Sequence, residues 1–262
     1  MEFPLDEILL KIYLIPFILI LVRMLAFFGI APLFSSSGFP NQGKVLLSAF
    51  LALIILFLRG SEIPVIELDL LPLVGLVIGE ALAGMVLGFI VGLIFASIQL
   101  AGYIMGYQMG FAVANVLDPV SGEQSSVLGQ FLFLFGLLTF LNIDGHHLLI
   151  IGMVESFDIM PVGAFHANMG LVDLMASLFQ AYFSVAIKIA LPVLGMILMV
   201  DISLGIVART VPQMNVFLIG MPLKTLVGIF TLFAGFSFLT QLMKYEIYNF
   251  IEKFYTFVHG MG

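Results

Sequence analysis

Leu70-Leu71-Pro72-Leu73-Val74-Gly75-Leu76-Val77-Ile78-Gly79-Glu80-Ala81-Leu82-Ala83-Gly84-Met85-Val86-Leu87-Gly88-Phe89-Ile90-Val91-Gly92-Leu93-Ile94-Phe95-Ala96-Ser97-Ile98-Gln99-Leu100-Ala101 carries a single ionisable side chain, Glu80. A bilayer core of about 30 Å is crossed by roughly 20 helical residues. At about 1.5 Å per residue this run would reach about 48 Å. It is too apolar for a soluble helix and too long for a simple span. The run therefore places the chain among all-α membrane proteins, and its length predicts helices that kink, stop midway or pack against partner chains.

The rest of the chain points the same way. Of its 262 residues 62% are hydrophobic and 10% charged, against about 25% charged in an ordinary soluble domain. Further apolar stretches fall at about 8–30, 45–58, 127–141, 174–200 and 216–242. Val45–Leu58 and Val127–Leu141 are short for a span. The start, Met1-Glu2-Phe3-Pro4-Leu5-Asp6-Glu7, is acidic where a secretory signal begins basic, so Ile8–Ile30 reads as a retained helix. Trp is absent, so the usual interfacial anchor is missing. Cys is absent too, which removes disulfides and thiolate chemistry. A net charge of -7 offers no footprint for nucleic acid.

Charge placement defeats a simple alternating topology. No Lys or Arg occurs between Arg59 and Lys188, while ten acidic residues do, from Glu62 to Asp173. Loop positive charges orient membrane proteins, and this region has none to thread it back and forth.

Pro and Gly punctuate the chain. Ala31-Pro32 and Phe39-Pro40 bracket a polar break, and Leu117-Asp118-Pro119 ends a glycine-rich helix. Leu191-Pro192 predicts a kink inside an apolar run. Gly84, Gly88 and Gly92 recur every four residues, with Gly102 and Gly106 beyond them. Small residues at that spacing give one flat helical face for close backbone approach, either within the chain or at a subunit interface. There is no soluble domain and no low-complexity tail.

Catalytic and cofactor signatures are missing: no Gly-x-Ser-x-Gly elbow, no phosphate-binding loop, no His-Glu-x-x-His. Asp144-Gly145-His146-His147 has metal-ligand residue types, with His166 and His259 the remaining nitrogen donors. Adjacent His side chains on a helix point about 100° apart, so the segment reads as a helix start capped by Asp144 and no metal is expected. Arg23, Glu80 and Lys188 lie in apolar runs, where ionisable groups are costly. They read as buried ion pairs or as groups facing another subunit, with a proton relay as the sharper alternative. The segment Gly102–Asn115 runs from a glycine-faced helix into a loop. On composition it reads as a helix end in the core, although Met and Phe beside Gly can also fill a lumen softly.

Arg209-Thr210-Val211-Pro212-Gln213-Met214-Asn215-Val216-Phe217-Leu218-Ile219-Gly220-Met221-Pro222-Leu223-Lys224 resembles the signature of the FliR family, the R subunit of the flagellar type III export gate. Weaker matches span nearly the whole chain: Arg23, Pro32, Pro40, Lys44, Gly79-Glu80, Gly88, Gln99, Gly102, Gly106, Gln108, Gly110, Asp118-Pro119 and Gly145-His146-His147. The resemblance implies a structural and gating subunit, one copy per complex, joined to several copies of P and Q subunits in a helical ring. The ring would form the entrance for unfolded flagellar proteins. Other expected partners are the B-type and A-type export membrane proteins and membrane lipid. The expected location is the inner membrane at the flagellar basal body, with much of the assembly displaced towards the periplasm. The family pattern also implies a P-like half over about 1–173 and a Q-like hairpin over about 174–262, turning near Pro212-Gln213. Its hairpin and motif residues here are Arg209, Pro212, Gln213, Asn215, Phe217, Gly220, Pro222 and Lys224. A pore-plugging loop falls by position on Gly110, Phe111, Ala112, Val113, Ala114 and Asn115, continuing through Asp118-Pro119. The alternatives are the related T subunit of a virulence secretion system and, from another class, a small secondary transporter.

Overall fold

A computed structural model describes residues 13–35, 40–59, 70–111, 126–164, 169–213 and 215–260. Among them there is no strand. The helices are α1 (Ile15–Ile30), α2 (Pro32–Ser35), α3 (Asn41–Arg59), α4 (Leu70–Gln108), α5 (Val127–Asn142), α6 (Gly145–Ile159), α7 (Met169–Thr210), α8 (Val216–Ala234) and α9 (Phe236–Gly260). Among the described residues three helices are long and apolar enough to cross a membrane. The number rises to five if two bent pairs each count as one span: α5 with α6 at 72°, and α8 with α9 at 67°. The chain is an all-α membrane protein.

The long run that opened the sequence reading does not stop midway. It is one helix of 39 residues, about 58 Å at 1.5 Å per residue. Pro72 stands in its first turn, where a missing N–H costs nothing. The helix ends well before Leu117-Asp118-Pro119, because Gly110 stops it. Gly110 adopts φ +92, its N–H reaches Tyr107 O at 3.1 Å, and Phe111 N–H reaches Gly106 O at 3.0 Å. This pair of bonds around a left-handed glycine is the Schellman termination. Pro192 likewise lies inside α7, which runs unbroken from Met169 to Thr210. The short apolar runs become α3, a single helix, and α5, which continues through a bend into α6.

Two compact units divide the chain, and neither is a continuous stretch of sequence. The first contains residues 1–93, 144–178 and 250–262. Here α1 packs along α3, and a buried aromatic group of Phe27, Phe28 and Phe34 fills the corner with edge-on rings 4.6–5.2 Å apart. Gly84 and Gly88 of α4 sit against the backbone of α1, beside the Arg23 and Phe27 carbonyls. A Cβ at Gly88 would lie 2.9 Å from Phe27 O, so only glycine lets the two helices approach so closely. The end of α9 closes on α6: Phe254 lies over Gly152 and the Tyr255 hydroxyl donates to Leu148 O at 2.8 Å.

The second unit contains residues 94–143 and 179–249. Phe95 anchors it, fully buried, edge-on to Phe140 at 5.4 Å. Gly102 meets the backbone of Leu128 and Gly129 at the start of α5, and Gly106 meets Ser126. Gly92, placed by its spacing on the same stripe, has open space where a Cβ would be. Helices α7 and α8 lie against each other, with Lys224 paired to Asp201 and Gly220 against Leu204, and the described residues Val211, Pro212 and Gln213 stand between them.

Candidate functional site

In the first unit three ionisable or polar elements converge on one guanidinium. Arg23 and Glu80 are both fully buried. Arg23 Nε donates to Glu80 Oε2 at 2.5 Å and Nη2 to Oε1 at 3.1 Å. This two-pronged pairing is the strongest form of a carboxylate contact. The remaining Arg23 donors turn to the end of α6, reaching Ser156 O at 3.3 Å and Met160 O at 3.1 Å. Helix ends leave carbonyls unsatisfied and carry partial negative charge, so the cation sits where two needs coincide. Its Cζ lies 4.1 Å from the ring centre of Phe157. Glu80 is completed by the Gly163 N–H at 2.8 Å. The carboxylate inside the positive-free stretch thus takes its counter-charge from Arg23, outside that stretch.

The second unit holds two charged pairs of a different kind. Lys188 on α7 pairs with Glu246 on α9 at 2.9 Å. The Lys side chain is half exposed and the Glu buried. Lys224 on α8 pairs with Asp201 on α7 at 2.5 Å, both partly exposed. Neither Glu246 nor Asp201 was singled out from the sequence. The signal for Asp201 was there: it is the only acidic residue in the 36-residue apolar window Met175–Thr210, and such a group demands a partner.

The motif residues lie around the break between α7 and α8. Arg209 is the basic residue in the last turn of α7, where it complements the helix dipole. Pro212 and Gln213 are exposed in the turn. Asn215 caps α8, its side-chain oxygen accepting from Leu218 N–H at 3.3 Å. Gly220 is buried, with the Leu204 side chain against the place of its missing Cβ. Pro222 lies inside α8. The Phe217 side chain lies outside the described set.

Of the loop residues, Gly110 and Phe111 are described, and Ala112, Val113, Ala114, Asn115, Asp118 and Pro119 are not. The root of the loop rests on α8. Gly110 faces Met221, and the Met109 side chain, fully buried, fills the space over Gly228.

Asp144 corrects one expectation. It stands at the N-terminus of α6 but makes no capping bond. Its φ of 55 is left-handed, whereas a capping residue takes an extended backbone that lets its oxygen reach the first amides. The carboxylate lies instead 3.5 Å from His147 Nδ1. The His146 and His147 rings are 4.1 Å apart at their centres, nearer than a 100° separation suggests. One donor atom from each of Asp144, His146 and His147 falls within 4.8 Å of the others. Asp144 and His147 are exposed, and no further described His, Asp or Glu joins the group. His166 and the His259 side chain lie outside the described set.

Residues 14–250 match the family described as bacterial export proteins, family 1. The chain is 38% identical over 231 residues to the flagellar biosynthetic protein FliR of Bacillus subtilis (strain 168), covering 87% of this chain and 88% of that one. The chain belongs to the FliR family. Other FliR proteins align comparably: that of Pectobacterium carotovorum subsp. carotovorum is 32% identical over 80% of both chains. That of Escherichia coli (strain K12) is 30% identical over 87% of this chain and 88% of its own. The matched residues 14–250 take in every charged pair described above.

Proposed function

We propose that this FliR-family chain is the structural and gating R subunit of the flagellar type III export gate, and that it is not an enzyme. It is a flagellar protein-export component of the bacterial inner membrane, working beside other proteins of the export apparatus. The finer reading is a single copy of this chain joined to several P and Q subunits, with B-type and A-type membrane proteins nearby. Residues about 1–173 form the P-like half and about 174–262 the Q-like hairpin. Unfolded flagellar proteins pass through the assembly, much of which stands towards the periplasm.

The observation that carries the reading is the family match over most of the chain with relatives named as flagellar biosynthetic proteins. The surface supports it. On α8, Leu218, Phe230 and Phe233 are 72–86% exposed, while Lys188 and Lys224 are drawn into pairs. Apolar surface of that size needs lipid or another subunit as its solvent.

The gating role rests on the loop from Gly110 to about Ser126. Deleting residues 110–115 tests it in cells that make the whole gate. The expected result is a leak of ions or small solutes through an assembled complex. An intact assembly with unchanged permeability removes the plug assignment.

A further inference from the structure

The chain has six threonines, all on described helices. Five of them, Thr139, Thr210, Thr231, Thr240 and Thr256, bond only backbone carbonyls of their own helix. That is the ordinary habit of a helical threonine. Thr225 differs. Its hydroxyl lies 3.0 Å from its own Met221 O and 2.8 Å from Met109 O, at the end of α4.

The Met109 carbonyl has a reason to accept. Around it the Schellman bonds occupy Gly106 O and Tyr107 O, and Met109 N–H occupies Met105 O. Met109 O lies past the last of these, among the carbonyls that a helix end leaves without an intrahelical donor. The side chain of the same residue is fully buried. It occupies the place of a Cβ at Gly228, where Met109 Cγ would stand 2.6 Å away. One residue of α4 is therefore gripped twice by α8, by a hydroxyl on its carbonyl and by a glycine notch around its side chain.

We infer that Thr225 and Gly228 form a reversible latch that positions the root of the Gly110 loop. Thr225 is a positioning residue, acting on the loop through Met109. A hydroxyl has one hydrogen, and here two acceptors compete for it. When α8 withdraws, the hydrogen turns to Met221 O, so the cost of release is confined to the Met109 carbonyl that loses its donor. The helix is also softened beside the latch, since Pro222 supplies no N–H to the preceding turn. The functional consequence, tighter closure of the channel, rests on the plug reading above; the latch itself does not.

The absence of Cys in the wild-type chain makes the test clean. Met109→Cys places one thiol in the buried space against Gly228 at the loop root, and its maleimide labelling rate is measured in membranes carrying the assembled complex. Thr225→Val, which keeps the shape and removes the hydroxyl, is expected to raise that rate about three- to tenfold, the factor that loss of one neutral hydrogen bond gives an opening equilibrium. Thr225→Ser restores the slow rate. Gly228→Val, which keeps the hydroxyl and expels the side chain at position 109, raises it independently. Equal rates in the parent, Thr225→Val and Gly228→Val overturn the latch. Permeability of the same membranes separates the two ideas. Faster labelling with no leak from the loop deletion keeps the latch and removes the plug. A leaking deletion with unchanged labelling keeps the plug and removes the latch.

Discussion

The two units handle charge in opposite ways. In the first, Arg23 and Glu80 are sealed from all surroundings, and their hydrogen bonds reach α6 and the Gly163 turn. In the second, Lys188–Glu246 and Lys224–Asp201 are single contacts with a partly open cation. The first arrangement makes sense as a finished core, whose polar groups are satisfied from within. The second leaves open cations beside exposed apolar residues such as Leu226 and Phe230. On the proposed function, the difference directs the search for assembly contacts to α7 and α8 and away from the sealed arginine.

The comparison breaks most visibly at the sealed pair. Arg23→Ala or Glu80→Ala leaves one buried charge alone, at a cost of about 3–5 kcal/mol. Thermal unfolding of the purified chain, followed by circular dichroism, should show a large drop in midpoint. Replacing both residues together, as Arg23→Met with Glu80→Leu, should recover most of that loss. A double variant as unstable as the singles would contradict the view that the pair is a local structural fastening.

A smaller effect is expected where helices touch at glycine. Gly88→Val forces α1 away from α4 and should cost about 1–3 kcal/mol. Gly92→Ala, into open space on a helix, should be neutral or stabilise by about 0.5–1 kcal/mol. Equal losses at the two positions would show that the stripe is used as a whole by another subunit. Smaller again is the half-open pair: a double-mutant cycle on Lys188→Met and Glu246→Gln should give a coupling near 0.6 kcal/mol, typical of interhelical polar contacts in membranes. A coupling as large as that of the sealed pair would erase the contrast between the units.

These contrasts explain what could be read in advance. Helix content and membrane character follow from composition, because they depend on how many apolar residues follow one another. The break between α7 and α8 was legible because Pro212 and Asn215 act locally, Asn215 as the cap of α8. The marriage of Arg23 to Glu80 was not, since residues 57 apart meet only through helix packing. Glu246 was missed for the same reason, whereas Asp201 was legible as the lone acid of its apolar window and was passed over. The end of α4 was misjudged because Gly110 resembles the other glycines of its stripe, and only its backbone angle tells that it terminates the helix. Asp144 looked like a cap by residue type, yet its left-handed backbone turns the carboxylate to His147.

The central claim is that the open faces of the hairpin are covered by other chains of an export gate. Native mass spectrometry of the complex purified after co-expression with P-type and Q-type subunits tests it directly. The account predicts one assembly holding a single copy of this chain and several copies of each partner. A chain that purifies only as a monomer, or only with copies of itself, would contradict it.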